Sequence, residues 1–168
     1  MRKALVMKVS FVLLLVPLTA LGATGFPKGY LVPTPVSIPR GLSQIERLYP
    51  PYSDDGYVLE YRAADNQGIL AVSENLANPQ WDANKLIQGS EMLVQQSKKG
   101  RVTEKVRDIT YKSAHGALFH AEYLGIRSYD LMMDDNNRVL RIQAQDGPDF
   151  YFTDDMVMGV LHGMVRQE

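Results

Sequence analysis

Two of the three histidines of this chain lie close together in the stretch HGALFHAEYLG, residues 115–125. His115 and His120, with Glu122 nearby, are side chains that bind transition metals or carry out acid–base catalysis. Successive residues of a β-strand point to opposite faces, so two histidines five positions apart on one regular strand cannot bind the same ion. His115, which precedes Gly116, is expected in the turn before the strand. Both interpretations argue against a paired-histidine metal site.

His120 has a second possible role, in a polar row across three strands. A three-residue turn at residues 124–126 places His120 opposite Asp130, with Arg141 next to Asp130 on the following strand. A turn of two or four residues places Tyr129 opposite His120 instead. The first register is preferred because it gathers more apolar residues on one face of the strand, namely Ala117, Phe119, Ala121 and Tyr123.

Ser128 lies near this row, and Ser128, His120 and Asp130 have the side-chain types of a hydrolase nucleophile, base and orienting acid. However, no G-x-S-x-G motif surrounds Ser128, and no oxyanion donor can be named. Opposite charges across strands are also ordinary surface pairs, each contributing ~0.2–1 kcal/mol. No catalytic residue is therefore assigned, and His120, Asp130 and Arg141 are predicted to bind a partner. A hydrolase stays as an alternative.

Two further groups of residues are candidates for partner binding. On the last predicted helix, Met158 and His162 lie four residues apart, away from the apolar stripe; such a pair could bind copper(I), but packing is the commoner role of methionine. Asp134 and Asp135 lie in a hairpin loop without the spacing of a calcium loop. We therefore predict no cofactor and no metal, and an acidic surface that suits a basic protein partner.

The N-terminal residues have the pattern of a secretory signal. Basic residues at positions 2, 3 and 8 precede an apolar run from Val9 to Val16, and small residues follow at 20–23. The run is shorter than the ~20 residues of a spanning helix. Residues 1–22 are thus predicted to be a cleaved signal peptide, the mature protein to be periplasmic or secreted, and no stable membrane insertion is expected after cleavage.

Composition limits the class of partner. The formal net charge of −1 becomes −4 when the three basic residues of the signal are removed, which argues against nucleic-acid binding. The chain has no cysteine, so disulfides and thiol catalysis are excluded. Six prolines at residues 27–51 predict an extended arm over residues 23–52, with a short helix at Ser43–Tyr49, before a single domain at residues 53–168.

Hydrophobic periodicity and turn signals predict an α+β domain with an antiparallel sheet of about six strands, one long central helix and one C-terminal helix. The first predicted elements are a hairpin of Tyr57–Arg62 and Ile69–Ser73 and a helix that is capped by Asn78 and runs to Lys99. An edge strand at 102–111 and a meander over 117–145 follow, and the last hairpin of the meander has a four-residue loop at Asp134–Asn137. The last predicted element is a helix from Thr153 to Arg166. In that hairpin Met133 is expected opposite Arg138, and Asp130 opposite Arg141.

This order of elements, and the run from Ala117 to Val165 in particular, resembles the Mog1/PsbP-like family and its bacterial DcrB-type exported members. The resemblance implies an α+β fold and a non-catalytic binding or assembly factor, and it supplies no active site to transfer. The leading hypothesis is therefore an exported protein that acts through protein–protein contacts. An alternative is an immunity or inhibitor protein that neutralises a periplasm-acting toxin or hydrolase with the acidic loop Asp134–Asn137.

Overall fold

The computed structural model describes residues 29–48, 56–79, 82–98 and 101–168, while the predicted signal peptide lies outside the described residues. These ranges form an α+β structure of nine strands and two α-helices. The strands are β1 (Leu31–Pro33), β2 (Ser43–Leu48), β3 (Gly56–Arg62), β4 (Ile69–Leu76), β5 (Arg101–Tyr111), β6 (Ala114–Tyr123), β7 (Ile126–Asp134), β8 (Arg138–Gln145) and β9 (Met164–Arg166). The helices are α1 (Ala83–Gln95) and α2 (Asp154–His162), and a 3-10 turn spans Pro35–Ser37.

Seven strands form one antiparallel sheet in the order β2-β3-β4-β8-β7-β6-β5. Helix α1 packs on one side of this sheet, mainly over β5, β6 and β7; we call this side the α1 face. Helix α2 packs on the other side, the α2 face, together with a small antiparallel sheet of β1 and β9. The described chain is therefore layered, with the seven-stranded sheet in the middle.

The two faces of the sheet are buried to different extents. The larger core lies on the α2 face, where Leu70, Leu131 and Ile142 pack against Val160 and Leu161 of α2. A smaller core on the α1 face joins Ala117, Phe119 and Met132 to apolar residues of α1. Since β6 and β7 are covered on both sides, their central residues are apolar on both faces, unlike strands with one solvated face.

The predicted registers of the meander need correction. Strands β6 and β7 join through a two-residue turn, Leu124–Gly125, so Tyr123 pairs with Ile126 and His120 pairs with Tyr129. The preferred three-residue turn was wrong by one residue, which moves His120 to the other face. The periodicity misled because both faces of β6 are buried, so alternation could not identify a single core face.

The last hairpin also has a tighter turn than predicted. Asp135 and Arg138 exchange both backbone hydrogen bonds, and Asn136 and Asn137 form a two-residue turn with φ of 49° and 66°. Met133 therefore pairs with Leu140, and Asp130 with Gln143. The shift is two residues, so the predicted apolar face is retained. Asparagine tolerates left-handed backbone well, which explains the tighter turn.

Three element predictions are wrong at their boundaries or type. Helix α1 is capped by Asp82 rather than Asn78 and is 13 residues long, so it is shorter than the long central helix expected. Helix α2 ends at His162, because residues 164–166 pair with β1 instead of continuing the helix. Residues 43–48 form strand β2 against β3, where a helix was expected.

His115 was expected in the turn before the strand that carries His120. It lies within that strand, β6, and the turn before β6 is Lys112–Ser113.

Other predictions are confirmed. The α+β class and the antiparallel sheet agree with the structure, although the main sheet has seven strands rather than about six. The first hairpin is β3–β4, and β5 is an edge strand of the main sheet. Thr153 caps α2 through its side chain, which accepts from the backbone N–H of Met156, and Asp154 and Asp155 occupy the first turn.

Candidate binding cleft

An open cleft lies on the α1 face, where helix α1 leaves β8 and β4 partly uncovered. Its volume is about 540 Å³. Ser90 and Leu93 of α1 form one wall, and the floor consists of sheet residues from β4, β5, β6, β7 and β8. Both the helix and the antiparallel sheet are rigid elements, so the side chains in the cleft have well-defined positions.

An ion pair between Asp130 and Arg141 lies in the floor of the cleft. Nε of Arg141 donates to Oδ1 of Asp130 at 2.8 Å, and Nη2 donates to Oδ2, which makes the pair bidentate. Each side chain is about one-quarter exposed. Burial opposes the charge on Arg141, but the hydrogen bonds with Asp130 outweigh it and raise the pKa of the guanidinium. A bidentate, partly desolvated pair holds both charged groups in fixed orientation.

The remaining floor residues combine hydrogen-bonding and apolar groups. Ser128 donates through Oγ to the backbone carbonyl of Ala121 at 3.3 Å, and Gln143 and Gln145 are exposed. Ile69 and Ala71 of β4 are half-buried beside them. Such a mixed surface suits a polypeptide segment, which presents backbone donors and acceptors together with side chains of both kinds.

His120 is among the residues that line the cleft, but its side chain lies on the opposite side of the sheet, where its partners are. Its Nε2 is 2.5 Å from Oδ1 of Asp154 at the start of α2, and its Nδ1 is 3.3 Å from Oε1 of Glu104. Its ring contacts the Tyr129 ring edge-to-face, with centroids 4.6 Å apart. The predicted row of His120 with Asp130 and Arg141 is therefore not formed. The predicted ion pair of Asp130 and Arg141 is present, although the two residues are diagonal neighbours rather than directly opposed.

The same geometry separates the residues of the hydrolase alternative. Ser128 and Asp130 lie on the α1 face, whereas His120 lies on the α2 face and hydrogen bonds with Asp154. A serine can be activated only by a base within hydrogen-bonding reach. The structure therefore does not bring Ser128, His120 and Asp130 together as nucleophile, base and orienting acid.

The predicted Met158–His162 surface is only partly exposed. Met158 packs against the larger core, so it is part of the buried side of α2. His162 is exposed, with its ring 5.8 Å from that of Tyr111 on the edge strand β5. The helical wheel misplaced Met158 because the 3-10 turn extends the layer that α2 packs against.

The acidic loop of the inhibitor alternative presents less charge than expected. Asp134 is exposed, but Asp135 is buried, and Oδ2 of Asp135 accepts from Nη2 of Arg166 at 2.7 Å. Arg166 belongs to β9, so this ion pair joins the last strand to the β7–β8 turn. Asp135 consequently has a structural contact inside the protein.

A buried acid, Glu74, was missed in the sequence. Its side chain on β4 is inaccessible to solvent, and Oε2 accepts from the backbone N–H of Leu31 at 2.5 Å. Burial, followed by a hydrogen bond with Asp135 and the charge of that group, raises the pKa of Glu74 to about 8. Burial alone would raise the pKa of Asp135 as well, but its hydrogen bonds with Glu74 and Arg166 lower it overall. Glu74 is therefore the member of the pair that holds a proton at neutral pH.

The alternation of β4 contains the signal that could have identified Glu74. Leu70 and Val72 are both wholly buried on the α2 face, and Glu74 is the next residue of the same face. An acid that continues an apolar period-two series is predicted to face the core and to need a partner there. Its partner Asp135 could not be identified in this way, because it is distant in sequence.

Comparison of the chain with protein-family models and with curated proteins finds no match. Within the described residues, no three histidine, aspartate or glutamate side chains are grouped so that they could hold a metal ion. No helix in the same part of the chain is long and apolar enough to cross a membrane.

Proposed function

We infer that this chain is an exported, non-catalytic binding or assembly protein, and that it holds a segment of a partner protein in the cleft between α1 and β4–β8. One observation carries the proposal: the bidentate pair of Asp130 and Arg141 lies in the floor of an open cleft. Replacement of a buried ion pair by apolar residues is often neutral or stabilising, so a role in binding accounts for this pair at least as well as a role in folding. Its fixed charges are suited to orienting a bound segment.

The chemistry of the cleft favours a polypeptide over a small metabolite. The floor offers amide and hydroxyl groups in a line along the strands, while Ile69, Ala71 and Leu93 offer apolar contact. A small-molecule site is usually more enclosed and mostly apolar, with few polar groups. The mildly acidic chain favours a partner with a basic surface around the bound segment.

Site-specific photo-crosslinking tests this proposal. A photo-reactive phenylalanine analogue at Gln143, an exposed residue of the cleft, is expected to crosslink one defined protein when the chain is produced in a bacterial envelope. The same analogue at Asp155, exposed on α2 on the other side of the sheet, is the matched control. A product at Gln143 that is absent at Asp155 supports the cleft. Equal products at both positions, or none at Gln143, contradict it.

The same crosslinking experiment also tests the inhibitor alternative. If the crosslinked protein is a secreted toxin or hydrolase, and if its activity falls on addition of the purified chain, the partner is an inhibited target. An envelope component whose activity is unchanged indicates an assembly role instead. The identity of the captured protein therefore distinguishes an assembly role of the cleft from an inhibitory one.

A further inference from the structure

The chain segment that contains β1 is bound along both of its edges. On one edge it forms the antiparallel pair with β9. The N–H of Gly29 donates to the carbonyl oxygen of Gln167, and the N–H of Gln167 donates to that of Tyr30, each at 2.8 Å. On the other edge no strand among the described residues pairs with β1. Side chains from three strands bind that edge instead.

Leu31 is held on this second edge through both of its main-chain groups. Oε2 of Glu74 accepts from the N–H of Leu31 at 2.5 Å, and the hydroxyl of Tyr57 donates to the carbonyl oxygen of Leu31. Glu74 and Tyr57 are both wholly buried. Since a buried backbone group without a partner is unfavourable, these two side chains fix the position of Leu31.

Two arginines bind the residues just before Leu31. Arg138 of β8 and Arg166 of β9 both donate to the carbonyl oxygen of Gly29. The guanidinium of Arg138 also lies over the ring of Tyr30, 4.1 Å from the ring centroid. Four side chains therefore bind the second edge of the segment, and we call them the clasp: Glu74, Tyr57, Arg138 and Arg166.

Glu74 is the member of the clasp whose charge changes near neutral pH. Burial and the neighbouring Asp135 raise the pKa of Glu74 to about 8, and they outweigh the opposite effects of the Leu31 N–H and of Arg138. In water the carboxyl of Glu74 has an ordinary pKa of 4.5. A state of the protein that exposes Glu74 therefore loses its proton at much lower pH than the closed state does.

The other charged and titratable groups around Glu74 each keep one state near neutral pH. Burial, and then the charge of Glu74, raises the pKa of Tyr57, so its hydroxyl stays protonated. Burial opposes the charge on Asp135, but hydrogen bonds, one of them with Arg166, lower its pKa overall. Arg138 and Arg166 stay positively charged. Ionisation of Glu74 thus adds a second buried negative charge beside Asp135.

We propose that the clasp is a pH-sensitive device that releases the N-terminal strand β1 when Glu74 ionises, while the seven-stranded sheet stays folded. Release gives the Glu74 carboxylate access to water and separates it from the strand that buries it. Because β1 has only three residues and pairs with β9 alone, it can open without breaking any pairing of the main sheet. The clasp lies on the α2 face, so it is independent of what occupies the cleft.

The direction of the response follows from the two pKa values of Glu74. The closed state holds the proton between about pH 4.5 and about pH 8, so opening becomes more favourable by up to about tenfold per pH unit over this range. Above about pH 8 both states are ionised and the opening equilibrium becomes constant. Opening uncovers Tyr30, Leu31 and Val32, which are at most 5% exposed in the closed state. The protein therefore presents a different apolar surface in alkaline surroundings.

Hydrogen–deuterium exchange of the full chain tests the proposal. Rates are expressed as protection factors relative to the unstructured chain, which removes the effect of pH on the exchange chemistry itself. The protection factor of the Leu31 amide should fall at least about tenfold between pH 6 and pH 8 and then level off. It should lie below the protection factors of the amides in β7 and β8 at every pH, because those amides stay bonded when β1 opens.

Three variants separate the titrating group from the rest of the clasp. Glu74→Gln can still accept from Leu31 but does not ionise, so its Leu31 protection should stay within about twofold across this pH range. Tyr57→Phe removes one contact of the clasp, so protection should be lower at every pH with the pH dependence retained. Glu122→Gln, at an exposed glutamate of β6, is the matched control and should behave like the wild type.

Three results would overturn the proposal. The first is a Leu31 protection factor in the wild type that does not change between pH 6 and pH 8. The second is the same pH dependence in Glu74→Gln as in the wild type. The third is protection at Leu31 equal to that in β7 and β8 at every pH, because β1 would then open only when the whole protein unfolds. If Glu74→Gln does not fold, the wild-type curve and Tyr57→Phe still decide between local release and global unfolding.

Discussion

Glu74 and Asp135 are two buried acids that lie close enough to affect each other: after burial itself, the neighbouring Asp135 is the largest cause of the raised pKa of Glu74. The backbone N–H of Leu31 binds the Glu74 carboxyl, and Arg166 binds Asp135. Leu31 and Arg166 are themselves partners in the β1–β9 pair. The two acids thus join the small terminal sheet to strand β4 and the β7–β8 turn.

The stability of the protein should fall as the pH rises through neutrality. The pKa of Glu74 is about 8 in the folded state, against an ordinary value of 4.5, so the folded state binds the extra proton between these values. The contribution of Glu74 is fully present below about pH 4.5 and is lost as the pH rises to about 8, with a slope of at most about 1.4 kcal/mol per pH unit. Chemical denaturation measured across this range checks the slope. An unfolding free energy that rises between about pH 4.5 and about pH 8, as Glu74 ionises, would contradict the raised pKa of Glu74.

Glu74→Gln should remove this dependence. The amide can still accept from Leu31 and can donate to Asp135, but it does not ionise. The difference in unfolding free energy between wild type and variant should therefore change with pH, in favour of the variant at alkaline pH. Glu122→Gln, at an exposed glutamate of β6, is the control for the exchange of a glutamate for its amide. A difference for Glu74→Gln that does not change with pH would contradict the raised pKa of Glu74.

Gly116→Ala should be strongly destabilising. A Cβ at Gly116 would overlap the backbone carbonyl oxygen of Met132 and the side chain of Met133 on the neighbouring strand. We expect a loss of about 3 kcal/mol or more in unfolding free energy, since the obstruction is backbone in a buried sheet. Gly89→Ala in α1, where an added Cβ meets nothing within 4 Å, should instead stabilise the protein by roughly 0.5–1 kcal/mol. Similar effects of the two changes would show that the β6–β7 packing is looser than described.

His120→Ala should reduce stability without affecting the cleft. The change removes the hydrogen bond to Asp154 and the edge-to-face contact with Tyr129, for an expected loss of about 1–2 kcal/mol. Crosslinking from Gln143 should be unchanged, because the side chain of His120 lies on the other face. His115→Ala, at an exposed histidine, should change stability by less than about 0.5 kcal/mol. Loss of crosslinking in folded His120→Ala would argue that the two faces are coupled.

Local signals were sufficient to predict much of the fold. The hairpin β3–β4 has alternating residues and a turn rich in Asp, Asn and Gly, and the Thr153 cap begins α2 as expected. The ion pair of Asp130 and Arg141 was also predicted, because a shift of two residues leaves each side chain on its own face. These features depend on residues close in sequence, or on which face of the sheet the alternate residues of one hairpin occupy.

Long-range contacts decided the features that the sequence did not reveal. Residues 164–166 form a strand because β1 pairs with them, which helical periodicity cannot anticipate. The left-handed Leu124 gave no signal for a two-residue turn, since leucine is rare there. That single turn determined the face of His120 and thereby the composition of the predicted row. The partnership of Glu74 and Asp135 likewise follows from the strand order rather than from local pattern.

The most direct measurement of the central claim combines crosslinking with a charge exchange in the cleft floor. The double variant Asp130→Arg with Arg141→Asp keeps an ion pair in place but reverses its direction, so unfolding free energy should stay within about 1 kcal/mol of the wild type. If the pair orients a partner segment, crosslinking from Gln143 should fall about tenfold, because like charges then meet across the contact. Crosslinking at the wild-type level in the folded double variant would contradict the claim that this cleft is the binding surface.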